Sequence, residues 1–373
     1  MKKLIAISMM IALVAGAAFA QEVQVGGALE FTWAAASNSG APAADTVYAT
    51  SLGESKITLS ISDDEGRAGG RLTYKLAELA GLAHTHTTDG TTVGSTNPGN
   101  GLRNSVHNQA FIWWKPIEQV ELFFGQDGDG KFNTADLSRW GYHRGTRGVS
   151  VENWDANGYL LGNWDEFGFA LSVRPIDGLA LHFAMNLPNP LGNEAGKKVD
   201  NYFDNIQIQA SYAIPDIGTV YFTMRYFKDA NSWDPGERVG LTFFSNSLVE
   251  GLAFEAGGNF NYASGATDTM RFLVGAHYTA GDWGARTRIY LHPRTAFFYL
   301  KADIMPWYDF GFMTAFCNIR IVTASSDKIG FHINPYVVKN VGPVQLRAGA
   351  LFSDESGSGT VSWAIPIGMV VAF

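Results

Sequence analysis

Residues 167–185 read FGFALSVRPIDGLALHFAM. Phe167, Phe169, Leu171 and Val173 take every second position. After Pro175-Ile176-Asp177-Gly178 the alternation resumes at Leu179, Leu181, Phe183 and Met185. A period of two is the signature of a strand with one apolar face. Pro, Asp and Gly supply the fixed φ and the left-handed position that a tight turn needs. The stretch is a β-hairpin, and the rest of the chain repeats its pattern.

Val23, Val25, Gly27, Leu29, Phe31 and Trp33 alternate with polar or small residues, as do Ile57, Leu59 and Ile61, and then Leu72, Tyr74 and Leu76. Extending the reading predicts strands near 23–36, 53–63, 67–78, 107–116, 119–126, 164–175, 178–187, 204–214 and 218–228. It continues with 237–246, 251–263, 268–279, 283–292, 295–306, 309–323, 327–339, 342–353 and 359–373. That is eighteen strands, or sixteen if one hairpin is misread. Most have the length that crosses a bilayer when tilted, about 9–11 residues. Short connections (63–66, 116–119, 175–178, 215–218, 281–282, 306–309 and 340–343) alternate with longer polar ones. Short turns opposite long loops, with both termini on the short-turn side, describe an up-and-down transmembrane β-barrel with an even strand number.

Composition supports the same class. Of 373 residues 42 are Gly, aromatics reach 13% and charged residues only 17%, with one Cys. That excludes a disordered chain, which is poor in aromatics, and a disulfide framework. A net charge of −8 argues against a nucleic-acid partner, which needs a basic face. A soluble sandwich also alternates, but this many strands would need several domains, and no linker or composition break occurs.

Lys2 and Lys3, an uncharged run from Leu4 to Phe19, and Ala18-Phe19-Ala20 form a secretory signal peptide. Residues 1–20 are therefore expected to be removed, leaving 21–373 as a single barrel domain. Loss of both lysines takes the net charge from −8 to −10. Beyond Gln21 no apolar run is long enough for a membrane-spanning helix.

The last strand sets Val361, Trp363, Ile365, Ile367, Met369, Val371 and Phe373 on one face. With the signal peptide, this terminal aromatic resembles the porins of Gram-negative outer membranes. The resemblance implies that Phe373 is an assembly signal for the barrel-insertion machinery. It also implies a homotrimer in the outer membrane and passive passage of small hydrophilic solutes or ions, with no cofactor and no catalysis. A barrel serving as an adhesin through loops such as 81–104 is the alternative.

If the apolar parity meets lipid, the other parity lines the lumen. It carries the bases Lys56, Arg71, Lys75, Lys115, Arg174, Arg225, Arg271, Arg286, Arg288, Lys301 and Arg347. The acids of that parity are Glu30, Glu54, Glu121, Glu255 and Asp303. Cation-rich rings favour anions, whereas the same residues would also serve as the ordinary charges of a wet wall. The longest connection, 127–163, holds Asp127, Asp129, Asp136, Arg139, His143, Arg144 and Arg147. By count it is the third external loop, which in porins folds inward as a constriction; an external surface loop is the other reading.

Other chemistry finds little support. Asp127-Gly128-Asp129-Gly130 starts like a calcium loop, but Lys131 and Phe132 break the pattern. His84, His86 and His107 lack further ligands, so no metal is expected. No G-x-S-x-G elbow occurs, and a start at Val23 leaves no room for a plug domain.

Overall fold

The computed structural model describes residues 22–37, 46–51, 55–75, 85–86, 92–93, 106–127, 167–186, 205–227, 238–262, 270–293, 297–354 and 356–373. The strands run β1 (Glu22–Ser37), β2 (Thr46–Ser51), β3 (Lys56–Ser62), β4 (Ala68–Lys75), β5 (Thr85–His86), β6 (Thr92–Val93), β7 (Val106–Ile117) and β8 (Val120–Asp127). Next come β9 (Phe167–Ile176), β10 (Leu179–Asn186), β11 (Asn205–Ile214), β12 (Gly218–Phe227), β13 (Arg238–Val249), β14 (Leu252–Asn261) and β15 (Met270–Ala280). The chain ends with β16 (Trp283–Pro293), β17 (Phe298–Asp309), β18 (Thr314–Ser325), β19 (Lys328–Val341), β20 (Val344–Gly349), β21 (Leu351–Asp354) and β22 (Ser362–Ala372).

Two pairs of these segments each form one stave of the wall. β2 and β3 lie along the two halves of β1, and β20 and β21 both lie between β19 and β22. The two-residue β5 and β6 extend from β2 as a side pair. Among the described residues this leaves eighteen antiparallel staves, which settles the count against sixteen. The wall closes where β1 meets β22, from Ala28↔Ala372 to Ala36↔Ala364. Closure leaves no open edge, so each stave's backbone finds its partners within the wall.

The faces are inverted relative to a soluble protein. Outward positions carry exposed apolar side chains such as Ile112 (60%), Leu241, Val274, Ile304, Ile321 and Ile367, while inward positions hold buried Gln207, Thr223, Glu255, Arg288, Arg320 (0%) and Asn334. An apolar belt of that kind suits lipid, and a polar interior suits a water-filled lumen.

The hairpin that decides the fold turns more tightly than its sequence predicts. β9 continues through Pro175 to Ile176, and the turn itself is Asp177-Gly178, with Gly178 at φ 79°. Asp-Gly is favoured in two-residue hairpin turns because it tolerates positive φ. A second expectation is corrected. Pro306–Asp309 is strand rather than turn, and the chain reverses at Phe310–Met313. There Phe310 N donates to Met313 O at 2.9 Å, and Gly311 takes φ 82°. Pro306 mimics a turn signal but lies in the wall, exposed on the outward face. Pairing with β18 lapses at Met305 and Pro306 and resumes in the same register at Trp307↔Phe316. Proline, which brings no N–H to the ladder, accounts for the lapse.

Candidate functional site

Antiparallel pairing converts inward residues on neighbouring staves into rows across the wall. One row runs Gly275, Arg288, Asp303, Arg320, His332 and Ser353. At its centre Asp303 accepts from two guanidiniums, Arg288 Nη2 at 2.9 Å and Arg320 Nε at 2.8 Å. Their side chains are 6%, 6% and 0% exposed for Asp303, Arg288 and Arg320. One carboxylate between two guanidiniums leaves a net cation in the wall. A charge sealed from water is tolerable only when it is paired in this way.

Further basic groups flank the triad. Lys301, cross-strand to Tyr290, and Arg271, cross-strand to Asn259, are buried. Buried Arg238 donates from Nη1 to Asn259 Oδ1 at 2.7 Å. Glu255 is the buried acid of β14. Towards the short-turn rim Arg286 is half-buried with its guanidinium carbon 5.6 Å from the Trp307 ring centre, and Arg347 donates from Nε to Gln345 Oε1 at 2.7 Å.

The remaining expected residues are more scattered. Lys56 is half-buried on β3, and Arg71 is exposed with Nε donating to Ser60 Oγ at 3.2 Å. Lys115 is half-buried and Glu121 buried. Arg174 stands exposed at the short-turn rim, its backbone N–H bonded to Gln119 O. The backbones of Glu30, Lys75, Asp127 and Arg225 are in strands, but their side chains lie outside the described residues, as do Glu54, Asp129, Asp136, Arg139, His143, Arg144 and Arg147 entirely. Residues 1–20 also fall outside.

Sequence reasoning missed Arg320 and Arg238, two of the most deeply buried charges. Ile319 and Ile321 on either side put Arg320 on the lumen parity, so the signal was available. Arg238 opens its strand, but Val239, Leu241 and Phe243 after it fix its face equally well. The opposite wall offers a contrast. There Phe123 (2%) packs with buried Ala170 and Ala184, and Phe111 lies 4.8 Å from it between ring centres. The lumen thus has a small apolar patch on β7–β10, set among Lys115, Glu121 and Ser172, and a basic flank on β13–β19.

The sequence matches no family model and no curated protein. Solved structures do match it. A variant of the Rh. blastica porin covers 94% of this chain and 100% of its own, at 13% identity and a TM-score of 0.50. The outer membrane protein OpdK of Pseudomonas aeruginosa covers 95% and 99%, at 11% identity and a TM-score of 0.56. At that identity the likeness concerns the fold: this chain folds as a porin-like β-barrel.

Proposed function

We propose that the barrel is a passive channel of an outer membrane for small hydrophilic solutes, with a preference for anions. The observation that carries this is the closed eighteen-stave wall with its apolar belt outside and its Arg288–Asp303–Arg320 band inside. Barrels of about 16–18 staves leave an aqueous lumen, whereas about eight are filled by side chains. The band is sealed from solvent, so it acts through its field: a surplus of fixed cations in low-dielectric surroundings attracts mobile anions.

The same reading includes export with loss of residues 1–20, delivery by the barrel-insertion machinery through Phe373, and assembly as a trimer. It also includes an inward fold of the acidic-then-basic stretch from Asp127 to Arg147. The name of the Rh. blastica porin supports the channel class, that of the outer membrane protein OpdK supports the location, and the remaining features rest on sequence. Among the described residues, nothing on the inner wall calls for a catalytic step.

Proteoliposome swelling tests the channel. Vesicles holding the mature chain should swell in arabinose and more slowly in larger sugars, while protein-free vesicles do not. Deleting residues 130–150 should speed swelling in the larger sugars several-fold. Vesicles that never swell around a folded barrel would reject the channel, and an unchanged size limit after the deletion would reject the constriction alone.

A further inference from the structure

The aromatic residues divide by face. Outward Trp114, Tyr212, Tyr278, Trp283 and Tyr308 are exposed, as ring side chains at a lipid boundary should be. Inward aromatics cannot serve that purpose. Three of them form a continuous cross-strand row near the short-turn rim, Trp307 on β17, Phe316 on β18 and Tyr336 on β19. Glycines end the row on both sides, Gly284 beside Trp307 and Gly349 beside Tyr336. A side chain at Gly284 would collide with the Trp307 ring at its Cζ2, and one at Gly349 would meet Tyr336 Cβ at 2.7 Å. The glycines make room for rings laid against the wall.

Cations bracket this row. Arg286 lies one inward position above it, with its guanidinium over Trp307, and His277 meets the same ring edge-on at 5.1 Å. Arg347 lies one inward position below Gly349. Phe316 and Tyr336 stack 4.9 Å apart at 9°, and the Tyr336 hydroxyl donates to Met305 Sδ at 3.6 Å, so Tyr336 backs Phe316 from behind. Accessibility separates this group from the sealed band above it. Trp307, Phe316, His277, Arg286 and Arg347 are all only partly buried.

We propose that this wall segment is a binding platform for anions borne on a flat conjugated ring. The ring stacks on Trp307 or Phe316, and the carboxylate or phosphate reaches Arg286 or Arg347. Aromatic faces prefer offset stacking with another π system, and a guanidinium pairs with a planar oxyanion in a two-pronged fork. The partly open groups here are chiefly rings and arginines, and the neutral groups beside them, Thr279 and Gln345, are already hydrogen-bonded to His277 and Arg347. The proposal rests on the anion-channel reading and deepens it.

The test is single-channel current in chloride with benzoate, cyclohexanecarboxylate, acetate or glucuronate added. Benzoate should interrupt the current with a dwell about fivefold longer than cyclohexanecarboxylate, as expected for one aromatic pair. Phe316→Leu and Trp307→Leu should each bring benzoate down to the cyclohexanecarboxylate level. Arg347→Gln should shorten both dwells together, and outward Trp114→Leu should change neither. Trp307 packs on Gly284 and its variant can lose the fold; Phe316→Leu keeps the test readable in that event. Equal dwells for benzoate and cyclohexanecarboxylate, or a longest dwell for glucuronate, would overturn the platform. A cation-selective current would instead overturn the anion-channel reading, so the two failures are distinguishable.

Discussion

Asp303→Ala is expected to cost the barrel about 3–5 kcal/mol, the usual penalty for removing one partner of a buried ion pair. Arg288 and Arg320 both donate to this one carboxylate, and Arg320 has no exposed surface through which water could replace it. The loss should appear as a lower urea midpoint for the refolded protein, followed by tryptophan fluorescence. Asp303→Asn keeps the shape and one acceptor, so it should lose less. Folded Asp303→Asn channels should also favour anions more strongly than the parent, because one fixed negative charge is gone. An Asp303→Ala barrel as stable as the parent would mean that the two arginines are held by other contacts.

The second large effect concerns the seam. Gly27 and Phe373 exchange both backbone hydrogen bonds, at 2.9 and 3.1 Å, where the first strand meets the end of the last. A Cβ on Gly27 would stand 2.5 Å from Lys56 O and 2.7 Å from Phe373 Cζ. One obstacle is backbone carbonyl, which cannot move aside without disturbing the ladder to β3. Gly27→Val should therefore cost about 2–3 kcal/mol as an overpacking defect, and most of the chain should fail to reach the fast-migrating folded form on unheated gels. Phe373→Ala unloads the ring but keeps both backbone bonds. It should refold in detergent within about twofold of the parent, since ordinary exposed changes cost little, while its delivery to the outer membrane in cells collapses. Normal folding of Gly27→Val would mean that the seam is not the tight point of closure.

Much of this was legible in the sequence because barrel strands write their two faces into alternate letters. Ile57, Leu59 and Ile61, or Ile365, Ile367 and Met369, need no partner to show which side meets lipid, and the stave count follows. Turns were less legible. Pro306 looks like a turn residue, yet the wall tolerates it because a single missing donor interrupts only one step of a long ladder. The making of one stave from two segments, β2 and β3, gave no periodic sign, since β2 is short and polar. Least legible was the inner wall. Asp303 meets Arg288 and Arg320 from 15 and 17 residues away, through registers that alternation cannot supply. A sequence can place all three residues on one face without showing that they form one cluster. The Trp307–Phe316–Tyr336 row escaped notice for the same reason.

Reversal potential in a salt gradient is the most direct test of the central claim. The refolded mature chain, in a planar bilayer between unequal potassium chloride solutions, should give discrete conductance steps with a zero-current potential displaced towards the chloride equilibrium value. Arg271→Gln with Lys301→Gln should move that potential part of the way back. A folded, heat-modifiable barrel that stays silent, or one that reverses near the potassium value, would contradict an anion-preferring channel.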